Sequence, residues 1–223
     1  MITARGITKQ YGELKVLKGI DLTIADREIV SIVGDSGAGK TTLLQILGTL
    51  DKPGSGTLHY GDTDIQKLKS RALADFRNKN IGFIFQFHQL LPEFTCLENV
   101  CMPALIAGKN KRASEKRAKE LLDYLNLSHR YQHKPSELSG GEQQRCAVAR
   151  ALMNAPSTVF ADEPSGNLDS KNAAELHKLF FKLRDDFGHS FVIVTHNEDF
   201  ANMADRKLVM KDGLIVNTAS GAL

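Results

Sequence analysis

The chain has 223 residues, of which 42% are hydrophobic and 25% charged, with a formal net charge of +3. That is enough length for one sizeable core, and the charge is too small to argue for a nucleic-acid partner. No apolar run reaches the roughly 18 residues that a membrane-spanning helix requires, and the first residues, MITARGITKQYG, lack the apolar segment of a secretory signal. Cys96, Cys101 and Cys146 are odd in number with no C-x-x-C spacing, so packing thiols in a reducing cytoplasm are expected.

In chain order, the first 28 residues and Gly56–Tyr60 read as short, partly alternating strands. Ile29–Val33 is a continuous apolar run, as expected of a parallel strand covered on both faces. It leads directly into Gly34-Asp35-Ser36-Gly37-Ala38-Gly39-Lys40-Thr41, which fits G-x-x-x-x-G-K-[ST], the P-loop. In such a loop glycines let successive backbone N–H groups wrap phosphates, and the positive end of the following helix adds to the attraction. Lys40 is expected to reach the β- and γ-phosphates and Thr41 to ligate Mg²⁺, with Thr42 beside it. Leu43, Leu44, Ile46 and Leu47 supply the buried face of the helix. A carboxylate at Asp35 should weaken phosphate binding unless it faces solvent.

A second buried strand, Ile81–Phe85, ends at Gln86. The segment after it carries Phe87, Leu90, Leu91 and Phe94 among His88, Gln89 and Glu93. Apolar residues so close together on a loop either pack inward or meet a partner. Residues from about 90 to 155 read as mainly helical, with Ala118, Leu121, Leu122 and Leu125 at helical spacing. The basic run Lys109, Lys111, Arg112, Lys116, Arg117 and Lys119 reads as a solvated face. His129 and His133 lie in a polar loop with no carboxylate or thiol completing a metal set. In Leu138-Ser139-Gly140-Gly141-Glu142-Gln143-Gln144-Arg145, Ser139 can cap a helix, and the glycines let backbone amides approach an anion.

Thr158–Ala161 is a third buried strand and runs into Asp162-Glu163. Beside a P-loop, Asp162 is placed to hold Mg²⁺ and Glu163 to act as general base on the attacking water. A helix over about 170–186 buries Ala173, Leu176, Phe180 and Leu183 and stops at Gly188. A fourth strand, Phe191–Thr195, ends at His196. Lys207–Val216, turning at Asp212-Gly213, reads as a hairpin. It is expected to join the N-terminal strands in a small antiparallel sheet beside the parallel one.

The P-loop together with LSGGEQQR resembles the ATP-binding cassette (ABC) ATPases. The resemblance implies an α/β P-loop NTPase with a parallel-sheet core, a small antiparallel β subdomain and a helical subdomain at about 90–155, all within one domain over 1–223. It implies ATP and Mg²⁺ as ligands, Gln86 as a Mg²⁺ contact, His196 as the switch histidine on the γ-phosphate, and Tyr11 as the aromatic that stacks on adenine. Ser139, Gly140, Gly141 and Glu142 would complete the ATP site of a second subunit, and Asn167 and Asp169 would cross the dimer interface. With one set of motifs, the chain should pair with itself or with a paralogue.

Local wording beyond these motifs resembles the ATPases of lipoprotein-releasing transporters and of macrolide exporters. That wording is Ile81–Pro92, Phe94-Thr95 through Val100, Pro135–Glu142 and Ala161–Asp169. This narrower resemblance implies a peripheral protein on the cytoplasmic face of a bacterial inner membrane. Its partner would be a separate integral membrane permease, met through Phe87, Leu90, Leu91 and Phe94. The rival readings are an ATPase of a cell-division complex and a soluble P-loop kinase; Ser139-Gly140-Gly141 argues against the kinase.

Overall fold

The computed structural model describes residues 1–220. Strands β1 (Ile2–Tyr11), β2 (Leu14–Ile24), β4 (Ser55–Tyr60) and β5 (Thr63–Asp64) form an antiparallel sheet in the order β2-β1-β4-β5. The second sheet has the order β10-β9-β3-β8-β7-β6. It contains β3 (Ile29–Gly34), β6 (Ile81–Phe85), β7 (Thr158–Asp162), β8 (Ser190–Val194), β9 (Arg206–Lys211) and β10 (Leu214–Ser220).

The central strands are buried on both faces, which is why they read as unbroken apolar runs. Alternation along each strand divides their side chains between two cores. Ile29, Val159, Ala161, Phe191 and Ile193 face one core, with the helices α3 (Cys96–Ile106), α5 (Gly140–Leu152) and α6 (Ser170–Phe187). Val30, Ile32, Phe160, Val192 and Val194 face the other, with the antiparallel sheet and α1 (Lys40–Leu47). Buried parallel strands thus act as the partition between the two layers.

The 206–220 hairpin departs from the sequence expectation. β9 joins the parallel sheet, pairing with β3 from Val30↔Arg206 to Gly34↔Met210, and β10 pairs antiparallel to β9 at the edge. The reason is the intervening helix α7 (Glu198–Met203). A helical crossover from β8 delivers the chain parallel to β3, and Leu208 and Met210 are buried there.

Helix α2 (Ser70–Asn80) had no counterpart in the sequence reading, because none of its residues is fully buried: Leu73 and Phe76 pack on the core, Phe76 edge-on to Tyr60, and the rest of the helix is mostly polar. Helices α3, α4 (Lys111–Tyr124) and α5 pack on one another, and α5 also packs against β6. Among the described residues no helix is long and apolar enough to cross a membrane.

Candidate functional site

Register brings the chemistry to one edge of the sheet. Phe85 pairs with Asp162, Asp162 with Val194, and Val194 with Ile32. Gln86, Glu163, His196 and the P-loop therefore leave four adjacent strands at the same carboxyl-terminal edge, where open α/β sheets bind ligands.

The P-loop is set by backbone geometry. Gly34 has φ of 146°, and a Cβ there would stand 2.1 Å from the Met210 carbonyl oxygen. Gly39, at φ 98°, caps α1. Both positions exclude other residues, one by close approach and one by handedness. Lys40 is buried, and its Nζ donates to the carbonyls of Gly34 (2.7 Å) and Asp35 (2.9 Å). The ammonium therefore rests on its own loop, facing where phosphate would enter. Asp35, Ser36 and Gly37 are exposed, while Ala38 is buried.

The Thr41 hydroxyl donates to Asp162 Oδ1 at 3.2 Å, so the sheet brings together residues that lie far apart in the chain. Burial raises the pKa of Asp162, while Thr41 and Lys40 oppose that shift. An alcohol and a carboxylate side by side are the hard oxygen donors Mg²⁺ prefers. Glu163 takes a left-handed φ of 45°, rare for a side chain of its size. Its N–H donates to the Val194 carbonyl at 3.0 Å, and its carbonyl accepts from Gly166 N at 3.0 Å. The His196 N–H donates to Glu163 Oε2 at 3.2 Å, and the ring Nε2 stands 3.2 Å from Oε1. Burial raises the Glu163 pKa, partly countered by His196. Gln86 is tied to the loop after Glu163, its carbonyl accepting from Asn167 Nδ2 at 3.1 Å.

Tyr11 stands apart on β1, half exposed. Its hydroxyl donates to Asp51 at 2.6 Å, and the Lys9 ammonium sits 5.0 Å above its ring. Thr42, on the first turn of α1, is partly buried.

Ser139 caps α5 in a reciprocal box: its Oγ accepts from Glu142 N at 3.3 Å, while Glu142 Oε2 accepts from Ser139 N at 2.8 Å. Burial works to raise the Glu142 pKa, but the Ser139 N–H and the Arg130 guanidinium outweigh it and bring it to about 2. Ser139 and Gly140 are exposed at the helix start, whereas Gly141 and Glu142 are buried. α5 packs beside β6, with β8 and β7 between that strand and β3. At about 4.8 Å per strand that is on the order of 14 Å from the P-loop strand. Among the described residues no hydrogen bond joins 34–42 to 139–142. Asp169 is exposed and caps α6, accepting from Asn172 N at 2.9 Å.

Beyond Gln86, Phe87, Leu91 and Phe94 are exposed, Phe87 to 74%. Leu90 is instead partly buried and packs on the core. Leu105 and Ile106, at the end of α3, are exposed as well.

Two residues that shape this loop had no signal in the sequence reading. Asn99 is fully buried and bonds Leu91 N, Leu91 O, Phe94 O and Thr95 O. Arg150 holds the left-handed His88 and Gln89 by donating to both carbonyls, at 2.8 and 2.6 Å. Beside the loop lies a groove of about 470 Å³ lined by α2, β6, α3 and α5, including Phe83, Phe85, Gln89, Ile106 and Arg150.

Residues 17–166 match the family model described as ABC transporter. The chain belongs to the ABC transporter ATPase family. It is 60% identical to the lipoprotein-releasing system ATP-binding protein LolD of Bacteroides fragilis, over 97% of this chain and 100% of that protein. The LolD protein of Porphyromonas gingivalis is also 60% identical, over 96% and 98%. Among solved structures, a dimeric bacterial ABC transporter cassette superposes with a TM-score of 0.91 at 38% identity, covering all of both chains. A post-hydrolysis dimer of the same cassette with ADP and Pi gives 0.91 at 37%. The fold is that of an ABC cassette, and the chain is an ATP-hydrolysing enzyme of this class.

Proposed function

We propose that this ATPase is the motor subunit of a lipoprotein-releasing transporter, a single ATPase domain peripheral to the cytoplasmic face of the inner membrane. It would pair with a second copy or a paralogue and drive separate permease subunits. The observation that carries the chemistry is Glu163, held at an unfavourable φ and hydrogen-bonded to His196, one residue beyond the Thr41–Asp162 pair. The lipoprotein assignment is supported by relatives of that name, 60% identical over nearly the whole chain.

In this reading the free N–H groups of Gly34–Thr42 bind the phosphates of ATP, and Lys40 exchanges its two loop carbonyls for β- and γ-phosphate oxygens. Tyr11 offers its ring to the adenine. Thr41, Asp162 and Gln86 would hold Mg²⁺, which when bound neutralises charge on the phosphates. Glu163 accepts the proton of the attacking water, its raised pKa placing it nearer neutrality than an exposed glutamate. His196 orients that carboxylate through its backbone N–H and faces the terminal phosphate with its ring. Ser139, Gly140, Gly141 and Glu142 close on the ATP of the second copy, with Asn167 and Asp169 at the seam. One subunit thus supplies each site with a base and the other with a helix N-terminus.

Phe87, Leu91 and Phe94, with the groove beside them, would receive the permease. The test is copurification from detergent-solubilised membranes, followed by release of a lipoprotein from reconstituted vesicles. The expected result is capture of an integral membrane protein and ATP-dependent release, both lost in Leu91→Asp while ATP binding persists. Capture and release indifferent to that charge would overturn the docking surface. Capture without any lipoprotein release would overturn the cargo.

A further inference from the structure

His177 belongs to none of the motifs, yet it touches two of the loops they build. It lies on α6, 8% exposed. Its Nε2 is 3.0 Å from the hydroxyl oxygen of Ser165, two residues past Glu163. Its ring stacks on Phe200, four residues past His196, with centroids 4.2 Å apart and planes at 24°. Burial lowers its pKa and so favours the neutral ring, in which one nitrogen donates and the other accepts. The Ser165 hydroxyl satisfies either arrangement.

Both loops need such an anchor. A glutamate at φ 45° persists only where its surroundings over-determine it. The turn after it is closed by Gly166 N to Glu163 O, at 3.0 Å, and by Leu168 N to Ser165 O, at 3.1 Å. Asn167, in the same turn, holds Gln86. On the other side, Phe200 N donates to Asn197 Oδ1 at 2.7 Å, fixing the start of α7 directly after His196. The His177 ring is the common floor beneath these two short loops.

We propose that His177 is a positioning residue for ATP hydrolysis: its hydrogen bond to Ser165 holds the turn that aims Glu163, and its stacking on Phe200 holds the helix that follows His196. The inference rests on the reading of Glu163 as general base. It acts on the chemical step and not on nucleotide affinity, because the P-loop is built separately on β3 and α1.

The experiment separates the two halves of the contact in the full-length chain, by Mg-ATP turnover and thermal melting. His177→Phe keeps an aromatic ring against Phe200 and removes the hydrogen bond. It should lower kcat about three- to tenfold, the scale of one neutral hydrogen bond, with KM for ATP within about twofold. Ser165→Ala should show the same loss, and the double variant should lose no more than either single one, since one bond is removed in each. His177→Gln, which carries an amide to the Nε2 position but no ring, should recover most of kcat while melting lower. As a control for stability, Leu183→Ala on the same helix should lower the melting temperature and leave kcat unchanged. Wild-type kcat in His177→Phe, additive losses in the double variant, or kcat loss in Leu183→Ala at equal destabilisation would each overturn the assignment. Glu163→Gln run in parallel keeps the two readings apart. If it is inactive while His177→Phe is normal, only the role of His177 fails; if it is active, the reading of the site fails.

Discussion

The nucleotide edge and the loop after Gln86 begin at neighbouring strands and are built on opposite terms. At the nucleotide edge the polar groups close on one another: Lys40 on its own loop carbonyls, Thr41 on Asp162, Glu163 on His196. In the loop the polar work is hidden beneath, in Asn99 and Arg150, and the apolar side chains of Phe87, Leu91 and Phe94 are left in water. The first region holds its reactive groups on contacts a ligand can replace. The second holds its backbone through buried side chains and leaves Phe87, Leu91 and Phe94 partly exposed. The difference fits the proposed roles, a charged, exchanging ligand at the first and an apolar partner at the second.

The largest effect expected from separating the two is at Glu163. Glu163→Gln removes the proton acceptor and keeps the shape, so turnover should fall by about 10²–10⁴. ATP should still bind, and because the terminal phosphate is no longer removed, ATP should accumulate the dimer. Size-exclusion chromatography with light scattering, with and without ATP, checks this beside a turnover assay. Near-normal turnover, or a variant that stays monomeric at saturating ATP, would break the assigned role.

Asn99→Ala attacks the other region alone. It removes a buried amide that bonds four backbone groups between Leu91 and Thr95. Leaving those groups unpaired should cost about 2 kcal/mol, or about 4–8 °C in melting temperature. Calorimetric titration with ATP should give an unchanged affinity, while capture of the proposed membrane partner should weaken. A fall in ATP affinity equal to the loss of capture would show that the regions are not separable.

Legibility in the sequence follows the same division. The nucleotide edge could be read because its chemistry requires particular residues at fixed spacing after buried strands, and the strands betray themselves as apolar runs. Register then did what spacing alone could not, setting Thr41 against Asp162 across a separation of 121 residues. The hairpin at 206–220 was readable as a hairpin but not as part of the parallel sheet. Its place depends on the crossover through α7, whose six residues carry too little periodicity to be seen. Helix α2 escaped because only Leu73 and Phe76 of it pack on the core, too few to show a period. The inward turn of Leu90 and the roles of Asn99, Arg150 and His177 are matters of long-range packing, and no local pattern records them.

The smallest expected effect concerns the start of α5, which has features of both regions. Ser139 and Gly140 are exposed, yet Glu142 is held by the Ser139 N–H and Arg130. Its hydrogen bonds bring the Glu142 carboxyl down to about 2, from about 4.5 for a free glutamate. A depressed carboxylate contributes stability that is fully present above its unfolded pKa and is lost as pH falls through the folded value. The window is therefore about pH 4.5 down to about pH 2. Glu142→Gln keeps the side-chain length and removes the titrating charge. Its melting temperature should lie below that of the unsubstituted chain at neutral pH, with the gap closing as pH drops through that window. Thermal melts at stepped pH measure the gap directly. A gap that does not change with pH would mean that Glu142 acts through shape and hydrogen bonding rather than charge. The α5 start would then resemble the loop after Gln86, with its fixed backbone, more than the nucleotide edge.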